Sequence, residues 1–186
     1  MARPGRHGNM AAMKICLVSD SHDNRTLLAA AVAEAKERGA QAVLHCGDVV
    51  APTALRILQQ FGLPVHVIHG NNMGDTYAMF MLAQEPESVV HYHGQDAGLE
   101  LGGRRIFLVH YPHYANALAV TGDWDIVCCG HDHRPAIKEL DTIKGGKTLL
   151  LNPGTVAGVG PRATYIYGDL ETMEFEIFDV PGGKKN

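Results

Sequence analysis

Seven side chains that could bind transition metals are spread along this sequence of 186 residues, each within four residues of the end of a short apolar run. They are Asp20, His22, Asp48, Asn71, His110, His131 and His133. Mixed imidazole, carboxylate and amide groups favour Mn, Fe, Zn, Co or Ni over Mg and Ca, which prefer shells made of oxygen. If Asp48 bridges two ions about 3.5–4 Å apart, each ion has four protein ligands, and a shared water becomes a hydroxide nucleophile near neutral pH.

The apolar runs that precede these side chains have the length and composition of buried strands. The five strands are predicted over residues 14–18, 42–46, 65–69, 105–109 and 126–129. Ligands of α/β sheets bind at the carboxyl ends of the strands, so strands that run the same way would bring all seven groups to one rim. Taken singly, these residues are also typical of helix caps, turn residues or core histidines. These alternatives would all have to apply together at the ends of five strands, so we favour a metal site.

Helices alternate with strands in the first half of the chain, and the second half is richer in strands. Helices are predicted over residues 25–38, 52–61, 76–83 and 113–121. Further strands are predicted over residues 89–93, 99–101, 136–140, 147–151, 163–167 and 173–180, with a hairpin turn at Gly102-Gly103. This order predicts a layered α/β fold with two sheets. Residues 1–12 are interpreted as a loose, disordered arm or an expression remnant, and residues 13–186 as a single domain.

The composition narrows the classes of partner. The formal net charge is −4 and only 19% of the residues are charged, so a long nucleic-acid polymer is not expected as a partner. No apolar run approaches the ~18 residues of a membrane span, and no secretory signal is evident, so we expect a cytoplasmic protein without a membrane partner. The four cysteines lie in apolar runs without C-x-x-C spacing, which favours buried thiols over a zinc site.

The order of the motifs resembles a known family. Similar motifs, in the same order, are typical of the calcineurin-like metallophosphoesterase superfamily. Here they are Asp20-Ser-His22, Gly47-Asp48, Gly70-Asn71, His110 and Gly130-His131-Asp132-His133. The short chain and Asn152-Pro-Gly-Thr155 resemble the small single-domain branch, the YfcE-type phosphodiesterases. The resemblance implies a four-layer α/β/β/α sandwich of two mixed sheets flanked by helices.

The resemblance also implies how two divalent ions share the donor groups. It gives one ion Asp20, His22, Asp48 and His133, and the other Asp48, Asn71, His110 and His131. Asp48, Asn71 and His110 would then be the catalytic residues that activate the bridging hydroxide and orient the phosphate.

Two positions depart from the family pattern. Many members follow the metal-binding Asn with a His that assists the leaving group, and here Asn72 stands in that place. The small branch commonly has Gly after the strand-ending His, whereas here His110 is followed by Tyr111 and Pro112, and His113 is a hypothetical replacement acid. The predicted substrate contacts are Asn24, Asn72, His113 and Arg134.

These patterns predict a dinuclear, metal-dependent phosphodiesterase that acts on a small phosphoester, with Mn as the preferred ion. A phosphomonoesterase, or a nuclease acting on single-stranded or cyclic nucleotides, is the alternative within the same chemistry. A protein-binding scaffold that retains metal is the alternative outside it, because the retromer scaffold subunit resembles this fold. Exposed edge strands in the second half could also pair two copies of the chain into a homo-oligomer.

Overall fold

The computed structural model describes residues 13–184, so the prediction of a loose arm over residues 1–12 lies outside the described residues. The strands are β1 (Lys14–Val18), β2 (Ala42–His45), β3 (Val65–Val67), β4 (Val90–Tyr92), β5 (Asp96–Leu101), β6 (Arg104–Val109), β7 (Ile126–Cys128), β8 (Ala136–Asp141), β9 (Lys147–Asn152), β10 (Thr164–Asp169) and β11 (Glu174–Asp179). The α-helices are α1 (Arg25–Glu37), α2 (Pro52–Arg56), α3 (Thr76–Ala83) and α4 (Pro112–Ala119). Within the described range, none of the helices has the length and apolar character needed to cross a membrane.

The strands form two mixed sheets. The first has the order β11-β10-β1-β2-β3-β4 and the second the order β5-β6-β7-β9-β8. In the first sheet β1 to β4 are parallel, and β10 and β11 are antiparallel. In the second sheet β6, β7 and β9 are parallel, while β5 and β8 run antiparallel at the edges. The parallel part of each sheet therefore contains the strands that precede the predicted donor groups.

Alternation of side chains along the strands builds a four-layer sandwich. Ile15 and Leu17 of β1 pack between the two sheets, against residues such as Leu108 of β6. The alternate residues of β1 pack against α1 and belong to an apolar cluster that also contains residues of α2 and α3, on the outer face of the first sheet. Val127 of β7 packs against Ala115 of α4 on the outer face of the second sheet. The predicted α/β/β/α arrangement is confirmed.

Two element boundaries differ from the sequence prediction by three or more residues, and the other differences are of one or two residues. The helix predicted over residues 52–61 is α-helical only as far as Arg56 and continues as a 3-10 helix, Ile57–Phe61, that is closed by Gly62 with φ of 64°. Such tightening is common where a short helix ends. Strand β5 begins at Asp96 rather than at residue 99, because Ala97 is buried between the sheets. Residues 96–98 do not form an apolar run, so the sequence does not predict a strand there, although they pair fully with β6.

The prediction of buried thiols is also confirmed. Cys16, Cys46, Cys128 and Cys129 are all buried and free. Burial raises the pKa of the Cys16, Cys46 and Cys129 thiols well above the usual range. These side chains are therefore neutral packing groups rather than thiolate ligands.

Candidate metal centre

All seven predicted donor side chains lie at one rim of the sandwich, where parallel strands of both sheets end. The loops that follow β1, β2 and β3 carry Asp20, His22, Asp48 and Asn71. The segments that follow β6 and β7 carry His110, His131 and His133. The centre is therefore assembled across the interface between the two sheets.

The first cluster consists of Asp20, His22, Asp48 and His133. Nε2 of His22 lies 3.3 Å from Nε2 of His133 and 3.8 Å from Oδ1 of Asp20. Nε2 of His133 is 3.2 Å from the same oxygen, and Oδ2 of Asp48 is 3.9 Å from Nε2 of His22. Ligands about 2.1 Å from a tetrahedral ion lie roughly 3.4 Å from one another, so the atoms of Asp20, His22 and His133 are spaced to hold one ion.

The second cluster consists of Asp48, Asn71, His110 and His131. Nε2 of His110 lies 3.4 Å from Oδ1 of Asp48 and 3.1 Å from Oδ1 of Asn71. Nδ1 of His131 is 2.8 Å from the same amide oxygen. The two oxygens of the Asp48 carboxylate thus face different clusters. The division of the donor groups between two ions stays a prediction.

Hydrogen bonds outside the clusters decide which ring nitrogens face the centre. Nδ1 of His110 lies 2.7 Å from the carbonyl oxygen of Cys46, and Nδ1 of His133 lies 2.9 Å from that of Val159. Because a carbonyl only accepts, each Nδ1 donates, and in the neutral ring each Nε2 directs a lone pair at its cluster.

A buried oxygen in the first cluster lacks a hydrogen-bond partner among the described residues and would be stabilised by a cation. Oδ1 of Asp20 is buried and has no hydrogen-bond donor within the described part of the chain. The Nε2 atoms of His133 and His22 lie 3.2 Å and 3.8 Å from it. A buried carboxylate oxygen without a hydrogen-bond donor is unfavourable unless a positive charge lies beside it. The residues present therefore fit a divalent metal ion.

Glycines allow the backbone to approach the donor groups this closely. A Cβ atom on Gly70 would lie 2.1 Å from Oδ1 of Asp48. A Cβ atom on Gly130 would lie 1.9 Å from Oγ of Ser19 and 2.6 Å from Oδ2 of Asp20. These distances are too short for any residue that has a Cβ atom. The positions before Asn71 and His131 therefore require glycine.

Five of the seven donor residues have left-handed backbone conformations. Their φ angles lie between 41° and 73°, in Asp20, His22, Asp48, His131 and His133. Such conformations are uncommon outside glycine, although Asp and His are among the residues that adopt them more readily. Strain of this kind persists only where surrounding contacts hold it, and it is frequent at functional sites.

Two amide side chains hold the donors in position, a role that the sequence analysis did not predict for either of them. Asn72 donates from its backbone N–H to Oδ1 of Asp48 at 2.9 Å and from Nδ2 to Oδ2 at 2.6 Å. Asn152 donates from Nδ2 to the carbonyl oxygen of Gly130 at 3.2 Å and to Oδ1 of Asp132 at 2.8 Å. This pair of bonds fixes the loop that carries His131 and His133. The Asn152-Pro-Gly-Thr motif was the sequence signal for that support.

The four predicted substrate contacts have different surroundings. Asn24 caps α1, because its Oδ1 accepts from the N–H of Leu27 and its Nδ2 donates to a carbonyl oxygen. Arg134 is exposed beside the loop that carries His131 and His133. His113 is exposed on α4, and its ring lies 4.1 Å from that of Tyr114. Of the four, Asn72 touches a donor group directly, and the roles of all four toward substrate stay predictions.

The sequence matches the family model of the calcineurin-like phosphoesterase superfamily domain over residues 13–173. This chain belongs to the calcineurin-like phosphoesterase superfamily. The phosphoesterase is 24% identical over 151 residues to Phosphodiesterase MJ0936 of Methanocaldococcus jannaschii, an alignment that covers 78% of this chain and 86% of that protein. The family predicted from the motifs is confirmed, and the family implies a divalent metal.

Solved structures support the fold of this phosphoesterase. A structure described as a novel archaeal phosphodiesterase has a TM-score of 0.79 and 23% identity, and covers 90% of this chain and 99% of its own. Yfce, a phosphoesterase from E. coli, has a TM-score of 0.63 and 21% identity, and covers 90% of this chain and 100% of its own. At these identities the likeness establishes the fold, and it includes the small branch named from the sequence.

A buried histidine lies beneath the centre of the phosphoesterase. Nδ1 of His45 accepts from the N–H of Gly47 at 3.2 Å, and its Nε2 lies 3.0 Å from Oγ of Ser21. Burial, and to a smaller extent the nearby His110, lower the pKa of His45 to about 3. The ring is therefore neutral in the folded protein over most of the acid range.

We expect His45 to make the metal-free phosphoesterase sensitive to acid. The unfolded chain binds a proton at this ring near pH 6.5 and the folded chain only near pH 3, so the free energy of unfolding falls as pH drops through that window. Between about pH 7 and pH 4.5 this residue should remove on the order of 2 kcal/mol, measured by urea unfolding after EDTA treatment. His45→Gln should flatten this dependence, and His113→Gln, at an exposed position, should keep it. An unchanged slope in His45→Gln would assign the effect to other groups.

Proposed function

We propose that this phosphoesterase hydrolyses phosphodiesters of small molecules with two divalent ions that share Asp48. The observation that carries the proposal is the placement of the two oxygens of this buried carboxylate. Oδ2 lies 3.9 Å from Nε2 of His22 and Oδ1 lies 3.4 Å from Nε2 of His110, in two different donor sets. Mn is the preferred ion, with Fe, Zn, Co or Ni as alternatives that suit the same donors.

Two ions at these clusters would supply Lewis acidity to the phosphoryl oxygens and a deprotonated water near neutral pH. The protein holds the donors in a fixed orientation for that chemistry. Two hydrogen bonds from Asn72 keep the plane of the Asp48 carboxylate between the clusters. The backbone N–H of His131 donates to Oδ2 of Asp20 at 3.0 Å, which leaves Oδ1 of Asp20 directed at the first cluster. Such outer contacts typically account for 10–100-fold in metal affinity or activity.

Asn72 determines which leaving groups the site can accept. It occupies the position where many superfamily members have a His, and its Nδ2 donates to Asp48. An amide does not release a proton near neutral pH. General acids contribute about 10²–10⁴-fold to such reactions, so without one at this position the favoured substrates are those whose leaving groups are stable as anions. Aryl phosphodiesters meet that condition.

Metal removal and a comparison of esters test the proposal. EDTA-treated protein should hydrolyse bis(p-nitrophenyl) phosphate at the background rate, and Mn should restore activity as two ions bind per chain. The restored protein should favour this diester over an alkyl monoester such as glycerol phosphate by about 10²-fold or more in kcat/KM. The same panel includes a cyclic nucleotide and single-stranded DNA. Preferred hydrolysis of either one would identify a nuclease.

Several results would contradict the proposal. Equal or greater activity on alkyl monoesters would exclude a diesterase. Saturation at one ion per chain would exclude the shared carboxylate. Two bound ions without hydrolysis of any ester would favour the protein-binding scaffold instead.

A further inference from the structure

A cavity opens beside the second cluster. It has a volume of about 310 Å³ and shares Asn71 and His110 with that cluster. Its lining also includes His69, Met73, Gln95, Tyr111 and Tyr114. A volume of this size is at the lower end of the range for small-molecule sites and accommodates one planar ring system with part of its linker.

One wall of the cavity is aromatic and is anchored to the donor groups. The ring of Tyr111 lies 5.3 Å from that of His110 and 4.9 Å from that of His131, edge to face in both cases. The ring of Tyr114 lies 5.9 Å from that of Tyr111 at an interplanar angle of 84°. Tyr111 is thus fixed against two donor residues, and Tyr114 extends the aromatic wall outward along α4.

Apolar groups are left open to solvent at the mouth of this cavity. The exposed fraction is 51% for Tyr114 and 49% for Met73. Two other lining residues are polar: Nδ1 of His69 lies 2.6 Å from Oη of Tyr92, and Gln95 carries an exposed amide. Apolar walls with a few polar groups are the usual composition of a ligand site. The aromatic wall also falls where the family pattern commonly has Gly after the strand-ending His.

The position of the cavity distinguishes the two ester groups of a diester. Asn72, at the leaving-group position of the family pattern, directs Nδ2 at Oδ2 of Asp48, the oxygen that faces the first cluster. The cavity borders Asn71, Met73 and His110, and so lies against the second cluster. A leaving group near Oδ2 of Asp48 would place the ester group that stays on phosphorus toward the cavity.

We propose that this cavity binds a planar aromatic ring carried by the retained ester group of the substrate, with Tyr111 and Tyr114 as the specificity-determining residues. The inference rests on the proposed function and adds the substrate class to it. A ring held edge to face or stacked against such side chains binds roughly three- to tenfold more tightly than burial of its surface area alone would give. An aryl group and a nucleobase both supply this chemistry.

Three diesters with the same leaving group test the inference. Methyl, phenyl and thymidine 5′ esters of p-nitrophenyl phosphate release the same p-nitrophenolate, so differences in kcat/KM report on the retained group. We expect the Mn-loaded protein to favour at least one aromatic ester over the methyl ester by roughly three- to tenfold. A gain confined to the phenyl ester identifies a single aryl ring, and a larger gain for the thymidine ester identifies a nucleobase.

Variants and a binding measurement complete the test. Tyr114→Ala should abolish the preference for the aromatic ester, whereas Tyr77→Ala, at a 71% exposed position on α3 outside the cavity, should keep it. Calorimetry should show the same roughly three- to tenfold preference for phenylphosphonate over methylphosphonate, and its loss in Tyr114→Ala. Equal kcat/KM for all three esters together with equal affinity for the two phosphonates would overturn the inference. If none of the three esters is hydrolysed, the result would instead count against the proposed function. The affinities for the two phosphonates would then still decide the inference.

Discussion

Asp48→Asn is expected to release both metal ions and to lower the hydrolysis of an aryl phosphodiester by about 10³-fold or more, beyond the 10²–10³-fold effect of removing one stabilising donor group. The substitution keeps the size of the side chain but replaces the carboxylate that we propose to be shared by the two ions with a neutral amide. Asp48 is 2% exposed and accepts two hydrogen bonds from Asn72. An amide at this position would therefore place an NH₂ group against either Asn72 or a metal ion. Metal analysis after dialysis and steady-state kinetics measure the two losses together.

Asp23→Asn is the matched control for this variant. Asp23 lies in the same loop as Asp20 and His22, and its Oδ1 accepts from the N–H of Ala51 at 2.7 Å. An amide oxygen can accept that bond, and the side chain belongs to neither cluster, so activity should stay within about twofold of wild type. Retention of one ion by Asp48→Asn, with substantial activity, would show that the carboxylate is not shared.

The second large effect is expected from a residue that has no functional group. Gly70→Ala adds a Cβ atom that would lie 2.1 Å from Oδ1 of Asp48 and 2.7 Å from the ring of His110. Neither neighbour can move freely, because Asn72 holds Asp48 and the carbonyl of Cys46 holds His110. A displacement of about 1 Å at such a centre lowers activity on the order of 10²-fold. Calorimetric titration with Mn should show weaker binding at the second cluster.

Gly145→Ala separates this collision from the general effect of replacing glycine. Gly145 has φ of 74°, and a Cβ atom at this position would have no atom within 4 Å beyond its own chain neighbours. The substitution should lower stability by about 1–2 kcal/mol through backbone strain, with metal binding and activity unchanged. If Gly70→Ala keeps full activity, the steric role given to this glycine is wrong.

The donor groups could be predicted because each follows an apolar run that forms a buried strand. Asp20 and Asp48 follow β1 and β2, which are parallel neighbours, so the topology places both residues at the same edge. The boundaries were less predictable where packing rather than residue type decides them. At the start of β5, Ala97 is buried between the sheets although its neighbours in sequence are polar or glycine.

The groups that orient the donors could not be predicted in the same way. His110 and His133 are oriented by the carbonyl oxygens of Cys46 and Val159. Every residue type carries a carbonyl, so the sequence contains no signal for which one will face a ring nitrogen. The sequence predicts Asn72 as a replaced acid and a substrate contact, whereas its two hydrogen bonds to Asp48 depend on how the loop after β3 approaches the loop after β2. The aromatic wall of Tyr111 and Tyr114 likewise depends on the direction of α4.

Each proposed ion would have ligands from both sheets, since the first cluster joins His133 to His22 and the second joins His110 to Asn71. Apolar packing between sheets resists separation but has little directional preference, whereas coordination bonds fix the lateral alignment of the two layers. The bound ions would thus link the two sheets in one fixed alignment. Substitutions in the apolar core between the sheets, far from any ligand, would then shift the sheets and lower the affinity for the ions.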